Sequence, residues 1–343
     1  MKIKNKIKKM TWWLILIISL LIIVFGLIYV FKIDKHYTKT TDLQYNEGFF
    51  GITYSKKYAE EIGLDWQSAY IDMLDELQVK QVRIPVYWDQ IEIVNGEYNF
   101  SDYDFLIEEG EKRNVKFILN FGMRVARWPE CHFPDWIDQS NVLETQDETL
   151  EMLEVTVNHF KKYSSIYYWQ VENEPLLNSF GKCPKSDYNF LKKEIELVRE
   201  LDSRSIMVSA TGELSFWSKE AKVADVFGTT MYRVVSNPFF GYIRYPYTSN
   251  IYRLKAKAAK LNPADVIIIE LQAEPWIDQE KIFDVSDEEY KKSFNIDQFK
   301  ANVQFAIDTG FKKTYLWGVE WWYYQYKVAG NSEYWDFAKT LFK

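Results

Sequence analysis

Two apolar segments of this chain each run into a cluster of carboxylates. The first covers residues 167–175 and reads Tyr167-Tyr168-Trp169-Gln170-Val171-Glu172-Asn173-Glu174-Pro175. The second covers residues 266–276 and reads Val266-Ile267-Ile268-Ile269-Glu270-Leu271-Gln272-Ala273-Glu274-Pro275-Trp276. An apolar run of this length that is bounded by turn residues is typical of a strand buried on both faces. We therefore expect Glu174 and Glu270 at the ends of two buried strands, where a carboxylate avoids full burial yet stays beside a low-dielectric core.

The chain around these two segments alternates between strand-like and helix-like patterns. The predicted strands cover residues 49–53, 79–85, 115–121, 166–173, 206–210, 226–231, 266–269 and 314–318. Regular alternation predicts a parallel sheet, and eight units in a chain of 343 residues predict a (β/α)₈ TIM barrel. A doubly wound open sheet is the alternative. It is disfavoured because the sequence has no Gly-x-Gly-x-x-Gly turn.

The first 46 residues predict a membrane anchor in front of the barrel. Residues 1–10 contain five lysines and no acid, and residues 11–31 contain no charged side chain. A helix needs about 20 apolar residues to cross a bilayer, and a lysine-rich flank favours the cytoplasmic side. We therefore expect a cytoplasmic tail (1–10), a signal-anchor transmembrane helix (11–31), a linker (32–46) and an extracytoplasmic barrel (47–343) of a single-pass cell-membrane protein. A cleaved signal peptide is the alternative, although its apolar region is normally shorter and ends in small residues.

The charge of the chain excludes one class of partner. Outside the first ten residues there are 37 basic and 49 acidic side chains. Nucleic-acid binding requires a basic patch, so a body this acidic is a poor candidate for it.

The cysteines and histidines predict no metal site. The chain has two cysteines, Cys131 and Cys183, and three histidines, and none stands in a Cys-x-x-Cys or His-Glu-x-x-His pattern. Export would permit a disulfide between Cys131 and Cys183. By closing the loop between them, the bridge would stabilise the fold by about 4 kcal/mol in the chain-entropy model. Two independent buried thiols are the alternative.

Polar and aromatic side chains collect at the predicted carboxyl ends of the strands, where the active site of a TIM barrel lies. They are Arg83 near the end of the second strand and Trp88 after it, Asn173 and Glu174 at the end of the fourth, Tyr232 after the sixth, Glu270, Glu274 and Trp276 after the seventh, and Trp317 at the eighth. Strict alternation would send Asn173 and Glu174 to opposite faces of the fourth strand, so we expect the strand to fray or kink before Pro175.

This ordered set resembles the clan A glycoside hydrolases, retaining enzymes with (β/α)₈ barrels that include cellulases and family 42-type β-galactosidases. The resemblance spans residues 47–340, and its most specific element is Asn173-Glu174-Pro175 at the end of the fourth strand. Glu174 matches the acid/base position of the clan, and Glu270 matches the nucleophile position. The resemblance implies cleavage of a β-linked oligo- or polysaccharide by double displacement between two carboxylates.

The resemblance also implies roles for the other side chains. Asn173 would bind the sugar 2-hydroxyl, Arg83 and Tyr232 would orient Glu270, and Trp317 would form the floor of the sugar site. Trp88 and Trp276 complete the predicted substrate-binding set, and no metal or organic cofactor is required.

Three alternatives stay open at this point. Glu274 could replace Glu270 as the nucleophile, since it also precedes a proline. The protein could be a tethered carbohydrate-binding barrel without catalysis, or a barrel enzyme of other chemistry, such as an aldolase. The sequence also leaves open the sugar and linkage, internal against terminal cleavage, and the oligomeric state.

Overall fold

The computed structural model describes residues 11–24, 45–237, 241–277 and 285–342. Its centre is a closed barrel of eight parallel strands in the order β1, β2, β3, β4, β5, β6, β9 and β10, with β10 paired to β1. The barrel strands are β1 (Phe50–Thr53), β2 (Gln81–Pro85), β3 (Lys116–Phe121), β4 (Ile166–Val171), β5 (Ser205–Ala210), β6 (Val226–Met231), β9 (Ile267–Gln272) and β10 (Lys313–Trp317). Between β6 and β9, the short strands β7 (Val234–Asn237) and β8 (Gly241–Arg244) pair antiparallel. The predicted (β/α)₈ barrel is confirmed.

Helices surround the barrel. They are α2 (Lys56–Glu61), α3 (Trp66–Leu77), α4 (Trp88–Ile91), α5 (Ser101–Glu111), α6 (Val142–Phe160), α7 (Tyr188–Leu201), α8 (Glu220–Val223), α9 (Ser249–Ala258), α10 (Asp287–Ser293), α11 (Ile296–Asp308), α12 (Val319–Lys327) and α13 (Glu333–Lys339). Several begin at a residue whose side chain accepts a hydrogen bond from the first turn, as Asp65, Asn141, Asp187 and Asn295 do for α3, α6, α7 and α11.

Two apolar layers hold the fold together. The inner layer lies inside the barrel and contains Ile118, Met207, Ile267, Ile269 and Tyr315. The outer layer packs the other face of the strands against the helices. Because both faces of each strand are covered, the strands are apolar almost throughout, and a polar side chain inside one of them requires a specific partner.

A β-bulge on β9 turns Glu270 toward the barrel interior. Ile268 pairs with Thr314 of β10, but the next pair is Leu271 with Leu316, so β9 carries one extra residue. Ile269 and Glu270 therefore both face inward, against the alternation of a regular strand. The prediction that this strand ends at Ile269 was wrong, because the strand continues through Glu270 to Gln272.

At the end of β4 a change in backbone conformation, rather than a bulge, breaks the alternation of side chains. The strand stops at Val171, and Glu172 and Glu174 adopt left-handed backbone conformations with φ of 58° and 48°. Such values are uncommon for residues other than glycine and cost free energy. The resulting kinks direct Asn173 and Glu174 into the same site, as the next subsection describes.

The amino-terminal segment is only partly described. Residues 11–24 are helical (α1), and residues 1–10 and 25–44, which include the rest of the predicted span and most of the predicted linker, lie outside the described residues. None of the helices in the described ranges combines the length and apolarity needed to cross a membrane.

The predicted disulfide is present. Cys131 and Cys183 are joined, with their Cα atoms 5.3 Å apart. The bridge ties the loop after β3 to the loop after β4, on the same side of the barrel as Glu174.

Candidate active site

Arg83, on β2, organises the carboxyl end of the barrel. Its Nη1 donates to Oε1 of Glu270 at 2.9 Å, and its Nη2 donates to Oδ1 of Asn173 at 3.0 Å. Its Nε and Nη2 also donate to Gln170 at 2.7 Å and to Asn120 at 2.9 Å. Because the guanidinium is planar and always charged, it fixes the directions of these four side chains at once.

Glu270 is held through both carboxylate oxygens. Arg83 binds Oε1, and the hydroxyl of Tyr232 donates to Oε2 at 2.9 Å. The carboxyl is 3% exposed, so it exchanges hydration for one charged and one neutral hydrogen bond. These two contacts hold the carboxyl group in a single orientation.

Glu174 is held beside Glu270 by the neighbouring strand. Thr230 pairs with Glu270 across the β6–β9 ladder, and its hydroxyl donates to Oε1 of Glu174 at 2.8 Å. The backbone N–H of Glu174 donates to Oγ of Ser209 at 3.0 Å. Burial, followed by the negative charges of Glu270 and Glu130, raises the pKa of Glu174 to about 8. Glu174 is thus an acid that keeps its proton at neutral pH.

Asn173 joins the two carboxylates into one network. Its Oδ1 accepts hydrogen bonds from Arg83 at 3.0 Å, from Oγ of Ser209 at 3.2 Å and from Nε2 of Gln170 at 3.3 Å. With its oxygen fully used, the amide of Asn173 has a defined orientation, and its N–H group is the end that faces other acceptors.

Glu274 belongs to a separate ionic group. Both of its oxygens accept hydrogen bonds from Arg127, which also reaches Oε2 of Glu320 at 3.4 Å. The Arg127 guanidinium lies 3.5 Å from the ring centre of Tyr58 and 4.1 Å from that of Trp317. Glu274 therefore holds Arg127 in place and does not contact Arg83 or Tyr232.

The three predicted tryptophans occupy different environments. Trp88 is 0% exposed, and its indole N–H donates to Glu92 at 2.6 Å. The prediction that Trp88 contacts a sugar was therefore wrong. The chain after β2 turns its ring into the core. Trp317 lies at the end of β10, but Arg127 covers one face of its ring. Trp276 packs edge-to-face against Tyr232 with ring centres 5.1 Å apart, and so borders the site.

A comparison with protein families decides the identity. The cellulase family model (glycosyl hydrolase family 5) matches residues 42–312. The chain belongs to glycosyl hydrolase family 5. It is therefore a retaining glycoside hydrolase of clan A, and the match is to the cellulase branch of the resemblance rather than to family 42.

Solved structures agree with the fold of this family 5 enzyme. The GH5_18 protein from Bifidobacterium longum is 10% identical with a TM-score of 0.56, covering 78% of this chain and 69% of its own. The GH5_18 protein from Streptomyces cattleya, in complex with GlcNAc, is 13% identical with a TM-score of 0.55, covering 80% and 71%. A β-glucosidase from Exiguobacterium marinum is 13% identical with a TM-score of 0.51, covering 80% and 89%. No curated protein matches the chain.

Several polar side chains of the family 5 site were not predicted from the sequence. Gln170, Ser209 and Thr230 hold Asn173 and Glu174, and each is a buried polar residue inside a barrel strand. A polar residue in a strand covered on both faces is a usable signal, because it must find a partner inside the barrel. Arg127 gave no comparable signal, since it lies in the irregular loop after β3.

Proposed function

We propose that this family 5 enzyme cleaves a β-linked oligo- or polysaccharide by double displacement, with Glu270 as nucleophile and Glu174 as acid/base. The observation that carries the proposal is the contrast between the two carboxyls. Glu270 is bound by a guanidinium and a phenol, whereas Glu174 is buried beside a negative charge and has a pKa of about 8. A carboxyl that keeps its proton at neutral pH, next to a second carboxyl held in one orientation, is the arrangement that this catalysis requires.

In the first step an oxygen of Glu270 attacks the anomeric carbon, and the bond from that carbon to the leaving oxygen breaks. Glu174 gives its proton to the leaving oxygen. Thr230 donates to Oε1 of Glu174, which leaves Oε2 to carry that proton. The products are a glycosyl ester on Glu270 and the free aglycone.

In the second step water attacks the same carbon, and Glu174 takes a proton from that water. The change of role follows from charge. Once Glu270 is esterified its negative charge is gone, so one cause of the raised pKa of Glu174 disappears and the ionised form becomes accessible. Hydrolysis of the ester by this route restores Glu270 and releases a sugar with retained configuration.

The remaining contacts support binding roles. The N–H end of Asn173 is suited to a sugar hydroxyl, and Trp276 beside Tyr232 is suited to the apolar face of a sugar ring. The fold is shared with GH5_18 proteins in complex with GlcNAc and with Manβ1-4GlcNAc. Aryl β-glucosides, β-mannosides and β-N-acetylglucosaminides are therefore the first substrates to test.

The roles of the two glutamates are tested with leaving groups of different acidity. Glu270→Gln should lose about 10⁴-fold in kcat/KM on every substrate, because the attacking atom is gone. Glu174→Gln should lose about 10³-fold on a substrate with a sugar leaving group but far less on a dinitrophenyl glycoside, which departs without a proton. Azide should restore Glu174→Gln activity and give a β-glycosyl azide. Equal losses on both leaving groups in Glu174→Gln would contradict its role as the acid.

We further propose that residues 11–31 anchor the enzyme in the cell membrane with the barrel outside the cytoplasm. The segment is uncharged, follows five lysines, and in its described part presents apolar side chains to solvent, such as Trp12 at 68% and Leu14 at 57% exposure. The Cys131–Cys183 disulfide also supports this location, because disulfides form and persist in oxidising compartments. The full chain should stay in the membrane pellet after an alkaline carbonate wash and should be digested by protease added outside intact cells. Release by the wash, or a mature amino terminus beyond residue 31, would contradict the anchor.

A further inference from the structure

Glu172 stands directly before Asn173 and Glu174 in the chain, but its carboxyl group contacts the loop after β3. Its Oε1 accepts a hydrogen bond from the backbone N–H of Met123 at 2.9 Å, and its Oε2 accepts one from the backbone N–H of Arg124 at 2.7 Å. The residue is 2% exposed. Both carboxyl oxygens are therefore used inside the protein, and the side chain ties the end of β4 to the adjacent loop.

The main chain around Glu172 is bound to β3 and the same loop. Its N–H donates to the carbonyl of Phe121 at 2.9 Å, and its carbonyl accepts from the side-chain amide of Asn120 at 3.2 Å. The next N–H, that of Asn173, donates to the carbonyl of Arg124 at 2.7 Å. These contacts surround a residue with φ of 58°, a conformation that costs free energy outside glycine. The side chain and the main chain of Glu172 thus hold the kink that ends β4.

The loop after β3 is shaped around this carboxyl group. Its first residue, Gly122, has φ of 143°, and a Cβ there would lie 2.4 Å from Oε1 of Glu172 and 2.6 Å from its carboxyl carbon. The carboxyl group is not free to move aside, because both of its oxygens are hydrogen-bonded. A residue without a Cβ is therefore what lets the loop close over Glu172.

The acidic neighbour of Glu172 does not compete with it. This neighbour is Glu194, on α7, which is 1% exposed. Burial, followed by the negative charge of Glu172, raises the pKa of Glu194 well above its usual range. Glu194 therefore keeps its proton at neutral pH and places no second negative charge beside Glu172.

Glu174 depends on this kink more than Asn173 does. The side-chain oxygen of Asn173 accepts three hydrogen bonds, so its direction is fixed independently. Among the residues that the structure describes, the carboxyl group of Glu174 has one hydrogen bond, from Thr230, and its backbone N–H has one, to Ser209. The direction of the Glu174 carboxyl group is therefore set largely by the backbone at Glu172.

We propose that Glu172 is a positioning residue for the acid/base: by tying the end of β4 to the loop after β3, it directs the carboxyl group of Glu174 at the leaving oxygen. The inference rests on the proposed function, in which Glu174 is the acid. Misplacement of a reacting group by about 1 Å costs about 10²-fold in rate. Loss of the tie should therefore weaken proton transfer and leave attack by Glu270 largely intact.

The role is tested with Glu172→Gln, which removes the tie with little change of volume. An amide has one acceptor oxygen, and its NH₂ group would face a backbone N–H. We compare kcat/KM on two substrates with the same sugar, one with a sugar leaving group and one with dinitrophenol. Glu172→Gln should lose about 10²-fold on the first and less than about tenfold on the second, which departs without a proton. Equal losses on the two substrates would overturn the proposal.

Glu92→Gln is the matched control. Glu92 is 1% exposed, and its carboxyl group also accepts a hydrogen bond from a loop N–H, that of Gly96 at 2.8 Å, between α4 and α5. The substitution should lower stability without making the loss of activity depend on the leaving group. The same dependence in Glu92→Gln as in Glu172→Gln would also overturn the proposal, because it would then follow from destabilisation alone.

Two further measurements keep the test meaningful if Glu172→Gln folds poorly. Activity is referred to the sites that release a burst of dinitrophenol from a 2-deoxy-2-fluoro dinitrophenyl β-glycoside, a step that needs Glu270 but no acid. Gly122→Ala displaces the carboxyl group of Glu172 and keeps its charge, so it should show the same dependence on the leaving group. Gly310→Ala, at a φ of 65° with open space around it, should not. Wild-type kinetics of Gly122→Ala on both substrates would contradict the proposal.

The outcomes separate this inference from the proposed function. If Glu174→Gln itself shows no dependence on the leaving group, the proposed function fails. If Glu174→Gln shows that dependence and Glu172→Gln does not, the positioning role of Glu172 alone is refuted.

Discussion

Tyr232 donates its phenolic proton to Oε2 of Glu270 at 2.9 Å. The contact fixes the plane of the carboxylate for attack. Burial and the charge of Glu270 hold the pKa of Tyr232 well above its usual range, so the phenol remains a donor throughout the working pH range.

Tyr232→Phe should lower kcat by about 10²-fold, because one preorganised hydrogen bond to the reacting carboxylate is lost. Steady-state kinetics on an aryl β-glycoside gives the value. Tyr70→Phe is the matched control: this buried hydroxyl donates to the carbonyl of Leu106 at 2.8 Å, far from the site, and its loss should cost about 1 kcal/mol of stability and leave kcat unchanged. Equal kinetic effects in the two variants would contradict the role of Tyr232.

Arg83→Met should lower the free energy of unfolding by about 3–5 kcal/mol and abolish activity. The substitution leaves the buried carboxylate of Glu270 without its cation and the side-chain oxygens of Gln170 and Asn120 without a donor. Urea unfolding followed by tryptophan fluorescence measures the change. Arg83→Lys keeps the charge but loses the planar fork, so it should recover part of the stability and little of the activity. An Arg83→Met variant as stable as wild type would show that the network contributes nothing to the fold.

Much of the fold could be predicted from the sequence, because strands covered on both faces are long apolar runs. The runs around Ile84, Ile118 and Ile268 mark strands that the structure confirms. The bulge that directs Glu270 inward was not predictable, because an extra residue in a run of isoleucines changes no residue type. The backbone at Glu172 and Glu174 was anticipated only as a kink, since left-handed conformations outside glycine are set by tertiary contacts.

The site was predictable where it depends on strands and not where it depends on loops. Arg83, Asn173, Glu174, Tyr232 and Glu270 come together because parallel strands end at one rim. Trp88 was misplaced because its exposure depends on the path of the following loop.

Activity should decline as pH rises past about 8, since the pKa of Glu174 is about 8 and the acid must carry a proton. Stability should follow the same group. Folding raises the pKa of Glu174 from its ordinary value of 4.5 to about 8. The stability that the protonated carboxyl contributes is therefore complete below pH 4.5 and is lost as pH rises to about 8. Glu174→Gln should therefore show a shallower fall in Tm between pH 5 and 8, whereas the exposed Glu288→Gln should match wild type. A wild-type kcat/KM that stays constant to pH 10 would contradict the assignment.

Glu274→Gln should keep kcat within about tenfold of wild type, because Glu274 bonds Arg127 and not the groups around Glu270. Its stability should fall by about 1–3 kcal/mol, since Arg127 loses a charged partner in a buried setting. Kinetics and urea unfolding of the same preparation separate the two effects. Loss of activity as deep as in Glu270→Gln would move the nucleophile to Glu274.

The most direct measurement is the identification of the residue that forms the covalent intermediate. The enzyme is incubated with a 2-deoxy-2-fluoro dinitrophenyl β-glycoside, which forms the ester quickly and hydrolyses it slowly, and the labelled peptide is fragmented by mass spectrometry. The account predicts one sugar per chain, attached to the side chain of Glu270. A label on Glu274 or on Glu174 would contradict it.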